Sequence, residues 1–171
     1  IDDSSFAACR NNLIVQLLYQ TGMRLSEMRN LKINDINLAK FELKVLGKRN
    51  KERIIPITPD LKILISNYLI AKKKLVETDK TYLLVLDNGK AVYDKFIYRI
   101  VTSTLGNITT AEKKSPHVLR HTYATHLLNN GADISAIKDL LGHSSLAATQ
   151  IYTHNNIEQL KEAHKNAHPR G

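Results

Sequence analysis

Between Ile33 and Ile57 the hydrophobic pattern of this chain stops being helical. Leu43-Lys44-Val45-Leu46 and Ile54-Ile55 flank the polar stretch 47–53, a pattern of two strands joined by a basic turn. On either side of that interval the pattern is helical and punctuated by caps. Between positions 4 and 20, Phe6, Leu13, Ile14, Leu17 and Leu18 recur at helical spacing, and Gly22 serves as the C-cap. Ser26 then caps a short turn through Leu31. Thr58-Pro59 supplies an N-cap and first-turn proline for a helix running to Lys74. Positions 82–86, followed by Asp87-Asn88-Gly89, read as a short strand and turn, and 93–105 as a helix. Ser115-Pro116 opens a further helix that stops at Asn130-Gly131. Asp133 caps a short helix ending at Gly142, Ser144 or Ser145 caps another reaching Tyr152, and a last helical stretch covers 156–166. The expected fold is mainly α with a small antiparallel β-sheet near 33–57, an α+β class.

At 171 residues the chain has room for one domain, or one domain with a trailing arm, and its 43% apolar content is enough for a core. No repeat, low-complexity tract or Gly/Ser-rich linker divides it. The single cysteine, Cys9, excludes an internal disulfide and a zinc–cysteine cluster. No window approaches ~18 consecutive apolar residues, which excludes a membrane-spanning helix. The sequence starts at Ile1 rather than Met and reads as an excised fragment. Lys and Arg number 25 against 16 Asp and Glu, a net charge of +9. That field favours polyanions, nucleic acid first, because neutralising phosphates releases counterions; a basic domain that is simply soluble is the alternative.

Several residue groups carry candidate chemistry. His117 and Arg120 stand at i and i+3, on one helix face, where a guanidinium can grip phosphate oxygens while an imidazole moves a proton. Two polar residues at a helix end would have the same spacing. His117 and His121 at i and i+4 lack the glutamate of the zinc-protease pattern, since Val118 occupies that place. Thr21-Gly22-Met23-Arg24-Leu25-Ser26-Glu27 puts an arginine past a helix end, where backbone N–H groups can face an anion, with Glu27 placed to clamp Arg24; a plain structural ion pair fits as well. Lys48, Arg49, Lys51 and Arg53 crowd the hairpin tip, either as a solvated turn or as a DNA contact. Tyr152 lies nine residues beyond His143, at the end of a helical pattern where tyrosine usually packs.

Taken together, Arg24, Lys48, His117-x-x-Arg120, His143 and Tyr152, in that order and at these intervals, resemble the catalytic domain of the tyrosine recombinases of the phage integrase family, above all Xer-type recombinases and bacterial mobile-element integrases. The likeness covers nearly the whole chain. The stretch 21–27 looks like the family's first arginine box, Gly47-Lys48 through Arg53 like its β-hairpin lysine, and 115–128 with 140–154 (LLGHSSLAATQIYTH) like its second box. Arg49 stands where Xer-type members often carry glycine.

The resemblance implies an integrase catalytic-domain fold over 1–154, a C-terminal helical tail over 155–171 that packs on a neighbouring subunit or on its own, and an N-terminal core-binding domain absent from this chain. It implies that Tyr152 attacks the scissile phosphodiester and forms a 3′-phosphotyrosyl link that a second DNA strand later displaces, with neither metal nor other cofactor. Arg24 and Arg120 would hold the non-bridging oxygens and His143 would add a hydrogen bond. His117 would be the base for Tyr152, Lys48 the acid for the leaving oxygen with Lys51 the alternative, and Glu27 the support of Arg24. Arg49, Asn50, Lys51, Arg53, Lys113 and Lys114 are the expected phosphate contacts. The implied partners are double-stranded DNA and, for full-length subunits, a tetramer on DNA, with the isolated fragment a monomer. The implied location is the bacterial cytoplasm, at the nucleoid. Two rivals remain at this level: a type IB topoisomerase, and an accessory DNA-binding protein without catalysis.

Overall fold

The computed structural model describes residues 5–108 and 116–133, together with 135, 136 and 139. The first helix, α1 (Phe6–Thr21), starts where Ser5 Oγ accepts from the Ala8 amide at 3.1 Å. It stops at Gly22, whose φ of 64° is left-handed and whose N–H returns to the Leu18 carbonyl at 3.0 Å. Leu13, Ile14, Leu17 and Leu18 are all fully buried. They are buried because α1 is the central helix, packed against α3 (Pro59–Lys72), α4 (Asp94–Ile108) and α5 (Pro116–Asn129). Each outer helix presents a stripe at helical spacing: Leu61, Ile65 and Tyr68 from α3, Ile97 and Val101 from α4, Leu119, Tyr123 and Leu127 from α5. Among the described residues, no helix is long and apolar enough to cross a membrane.

The interval 33–57 is a three-stranded antiparallel sheet in the order β1 (Ile36–Asn37), β2 (Glu42–Leu46), β3 (Glu52–Pro56). The sequence pattern gave the two long strands; the two-residue β1 adds a short edge. In β2 and β3, Leu43 faces Ile55 and Val45 faces Arg53, and all four side chains are buried. The mainly α fold with a small sheet is therefore the observed one.

Two local expectations change. The short helix α2 (Leu25–Arg29) is capped by Arg24 rather than Ser26, because the carboxylate of Glu27 reaches back and accepts the Arg24 amide at 2.9 Å. The stretch 82–86 makes only isolated bridges, Lys32 to Tyr82 and Val85 to Ala91, rather than a strand. Three of its polar groups are claimed by side chains of α3: the Tyr68 hydroxyl donates to Leu83 O and accepts from Val85 N, both at 3.0 Å, and Lys72 Nζ donates to Tyr82 O at 2.6 Å. The Leu83 N–H and the Leu84 carbonyl pair with the backbone of Leu31 and Val92. Gly89 closes the adjoining turn at φ 77°, where a Cβ would stand 1.9 Å from the Glu77 carbonyl oxygen, so no other residue fits.

Candidate active site

The site is built around one carboxylate. Glu27 sits at the third position of α2, just after the α1 turn, with its side chain 2% exposed. Its Oε2 accepts the Arg24 backbone N–H and its Oε1 accepts Arg24 Nη1 at 3.0 Å, so Arg24 is fixed by main chain and side chain together. This amide is one that the sequence left available to an anion; Glu27 occupies it. From β3, Arg53 meets the same carboxylate as a fork, Nη1 to Oε1 at 2.7 Å and Nη2 to Oε2 at 2.8 Å. Burial pushes the Glu27 carboxyl up, but the Arg53 pair and the Arg24 bonds outweigh it and hold it below its ordinary value.

Arg120 enters from α5, one turn after His117. Its Nη1 donates to the carbonyl of Gly22, the residue that ends α1, which anchors the second arginine box onto the turn that presents the first. Burial, then the charges of Arg24 and Arg53, pull its guanidinium down to about 10, with Glu27 opposing. It remains cationic at neutral pH. Two guanidiniums thus share one carboxylate while the third, Arg120, feels their charges from its seat on Gly22, leaving two positive charges in excess where Arg24 is still partly open to solvent at 27%. Such a cluster is stabilised by an added anion and suits a phosphodiester whose charge grows in a pentacoordinate transition state.

The β2–β3 hairpin lies against this cluster. A Cβ on Gly47 would stand 3.4 Å from Glu27 Oε1 and 3.6 Å from Arg53 Nη1, so the residue before Lys48 touches the clamp. The tip folds as a tight turn over 48–50, closed by Gly47 N–H to Lys51 O at 2.8 Å, with Arg49 at φ 59° and Asn50 at φ 57°. Lys48, Arg49 and Asn50 are exposed and Lys51 is half-buried.

Arg53 departs from the expected group of phosphate contacts. It is 4% exposed and committed to Glu27, inside the protein rather than on the hairpin surface. The sequence carried a signal for this: Arg53 shares strand parity with Ile55 and pairs opposite Val45, so alternation turns it inward. Tyr123, which the sequence did not single out, is buried one turn after Arg120. Burial raises its hydroxyl far above its ordinary value, while Arg53 and Arg120 pull the other way. The structure therefore brings Arg24, Glu27, Arg120 and the base of the Lys48 hairpin together, with His117 exposed on the first turn of α5. His143, Tyr152, Lys113, Lys114 and the tail 155–171 lie outside the described residues. Among those described, no group of His, Cys, Asp and Glu could hold a metal ion.

Residues 1–159 match the phage integrase family. The chain belongs to that family. It is 39% identical over 172 residues to the tyrosine recombinase XerC of Thermodesulfovibrio yellowstonii, across 98% of this chain and 57% of that protein. It spans 51–57% of the length of two such curated relatives, the second being XerC of Chlorobaculum tepidum. Among solved structures of the family, the XerA recombinase superposes with a TM-score of 0.75 at 35% identity, over 99% of this chain and 62% of that one. The XerH recombinase bound to its difH substrate before cleavage superposes at 0.76 and 30% identity, over 95% of this chain and 48% of that one. The fold is therefore the integrase catalytic fold, and the family's enzymes break and rejoin DNA.

Proposed function

We propose that this chain is the catalytic part of a tyrosine site-specific recombinase acting on double-stranded DNA in the bacterial cytoplasm. The observation that carries the proposal is the guanidinium cluster, in which Arg24 and Arg120 converge around one buried carboxylate with positive charge in excess. Arg24 and Arg120 take the non-bridging oxygens of the scissile phosphate, and Glu27 keeps Arg24 aimed at it. The Tyr152 hydroxyl, at an ordinary pKa of ~10, is about 0.1% ionised at neutral pH and needs both a base and this positive field. His117 takes its proton, the Tyr152 oxygen bonds to phosphorus, and the 5′-oxygen leaves with a proton from Lys48, while His143 donates to the phosphate. The 3′-phosphotyrosyl bond keeps the free energy of the broken linkage, and the 5′-hydroxyl of a second strand reverses the step without a cofactor.

Arg49, Asn50, Lys51, Lys113 and Lys114 complete the phosphate contacts. In the whole protein, residues 1–154 act as the catalytic unit beside a core-binding domain, and the tail 155–171 packs on a neighbouring subunit of a tetramer. The test uses nicked duplexes that trap the covalent step. The full-length protein forms a denaturation-resistant protein–DNA adduct, and Tyr152→Phe binds the same DNA without forming it. An adduct that survives in Tyr152→Phe would move the nucleophile elsewhere; DNA binding with no adduct from the unaltered protein would leave an accessory binder.

A further inference from the structure

We infer that Arg53 is a positioning residue of strand cleavage: through Glu27 it sets Arg24 and the Lys48 hairpin relative to each other. The inference rests on the recombinase reading and concerns a residue to which that reading gives no role. Both carboxylate oxygens of Glu27 are shared. Oε1 lies between Arg53 Nη1 at 2.7 Å and Arg24 Nη1 at 3.0 Å, and Oε2 between Arg53 Nη2 at 2.8 Å and the Arg24 amide at 2.9 Å. The orientation of the carboxylate plane therefore depends on the Arg53 fork, and Arg24 takes its place from that plane. Arg53 also belongs to the hairpin. It stands in β3 opposite Val45, just past the turn, and Gly47 on the other side of the turn lies 3.6 Å (as a Cβ position) from its Nη1. Lys48 follows Gly47 directly. One buried guanidinium thus joins the strand that carries the proposed acid to the carboxylate that carries the proposed phosphate clamp.

Lysine keeps the charge but offers a single nitrogen, which cannot hold two carboxylate oxygens in one plane as the fork does. That makes Arg53→Lys the informative change, with Arg53→Gln as a second, neutral one. Full-length proteins are compared for DNA affinity, for the cooperative thermal melt, and for single-turnover cleavage at saturating protein. Cleavage is measured on ordinary nicked DNA and on DNA with a 5′-bridging sulfur, whose thiolate leaves without an acid. The expected result for Arg53→Lys is a 10–100-fold slower cleavage of ordinary DNA, with less than ~3-fold change in affinity and a cooperative melt. On the sulfur substrate the deficit shrinks at least threefold, because the share transmitted through Lys48 no longer counts. Loss of the cooperative melt in both variants would make Arg53 a folding residue, and equal deficits on both substrates would show that nothing is transmitted to the Lys48 hairpin; either would overturn the inference. Cleavage at the unaltered rate would also overturn it, as would a loss confined to affinity, which would return Arg53 to the DNA contacts. Failure of the unaltered protein to form any Tyr152-dependent adduct would instead sink the recombinase reading itself.

Discussion

Arg49 is held at φ 59° at the hairpin tip, in the left-handed region where a Cβ crowds the following carbonyl and costs roughly 1 kcal/mol. Glycine there would relieve that cost and give back part of it through a freer unfolded chain. Arg49→Gly is therefore expected to leave the melting temperature unchanged or slightly raised. It should also weaken DNA binding and flatten the dependence of log K on log salt by about one unit, the share of one phosphate contact. A melting temperature lowered by several degrees would show that the Arg49 side chain supports the turn. Glu27 gives a second prediction at this scale. Its folded pKa lies below its unfolded value, so its contribution is complete above the ordinary carboxylate range and is lost as pH falls through the folded value. Glu27→Gln should cost about 3–5 kcal/mol near neutral pH, because two guanidiniums lose their carboxylate. The gap to the unaltered protein should narrow as the pH falls below the ordinary carboxylate range and close once it passes the lowered folded value. Urea midpoints measured across that range check it; a gap independent of pH would mean the loss is one of packing alone.

At the scale of elements, the α1–α2 turn does two jobs. Gly22 ends α1 in the left-handed conformation, and its carbonyl receives Arg120 from α5. Gly22→Ala should cost about 1 kcal/mol in stability through φ alone. It should also slow cleavage by more than that loss of stability explains, since the acceptor that holds Arg120 moves with the turn; stability and single-turnover rates measured on the same protein separate the two. This turn also shows how far sequence reasoning reached. Caps are local chemistry, so Gly22, Thr58-Pro59 and Gly131 marked helix ends correctly, the last at φ 86°. The α2 cap falls at Arg24 rather than Ser26 because the Glu27 carboxylate takes the Arg24 amide, a choice that Ser26 alone, a favoured cap residue, does not reveal. The 82–86 stretch is not a strand because partners distant in sequence take several of its backbone groups: Tyr68 and Lys72 of α3 take the Tyr82 and Leu83 carbonyls, and Arg10 takes that of Val85. The family resemblance singled out Arg24, Lys48, His117 and Arg120 as candidates, and of these the fold brings Arg24, Arg120 and the base of the Lys48 hairpin together. The inward turn of Arg53 was written in strand alternation but hidden by its place in a run of cations.

Across the whole molecule, part of the net charge of +9 is gathered at one place, where Arg24, Arg53 and Arg120 meet around Glu27 with two positive charges in excess. The lowered pKa of Arg120, about 10, means that at neutral pH the folded protein bears the full cost of keeping that charge among its neighbours. Because the folded value lies below the unfolded one, that cost persists at all lower pH and is relieved only as pH rises past about 10. An anion seated between Arg24 and Arg120 relieves it at neutral pH. Sulfate, a fair mimic of a phosphodiester's oxygens, should therefore raise the melting temperature beyond its general salting-out effect. At ten times its dissociation constant the linkage amounts to about 1.4 kcal/mol, or roughly 3–5 °C for a chain of this size. Arg120→Met removes both the strain and the seat, so its melting temperature should respond to sulfate only as strongly as to a matched non-binding salt. The comparison is a sulfate titration at constant ionic strength, run on both proteins. Identical responses would mean that the cluster is neutralised from within, and the phosphate site would have to be sought elsewhere on the basic surface.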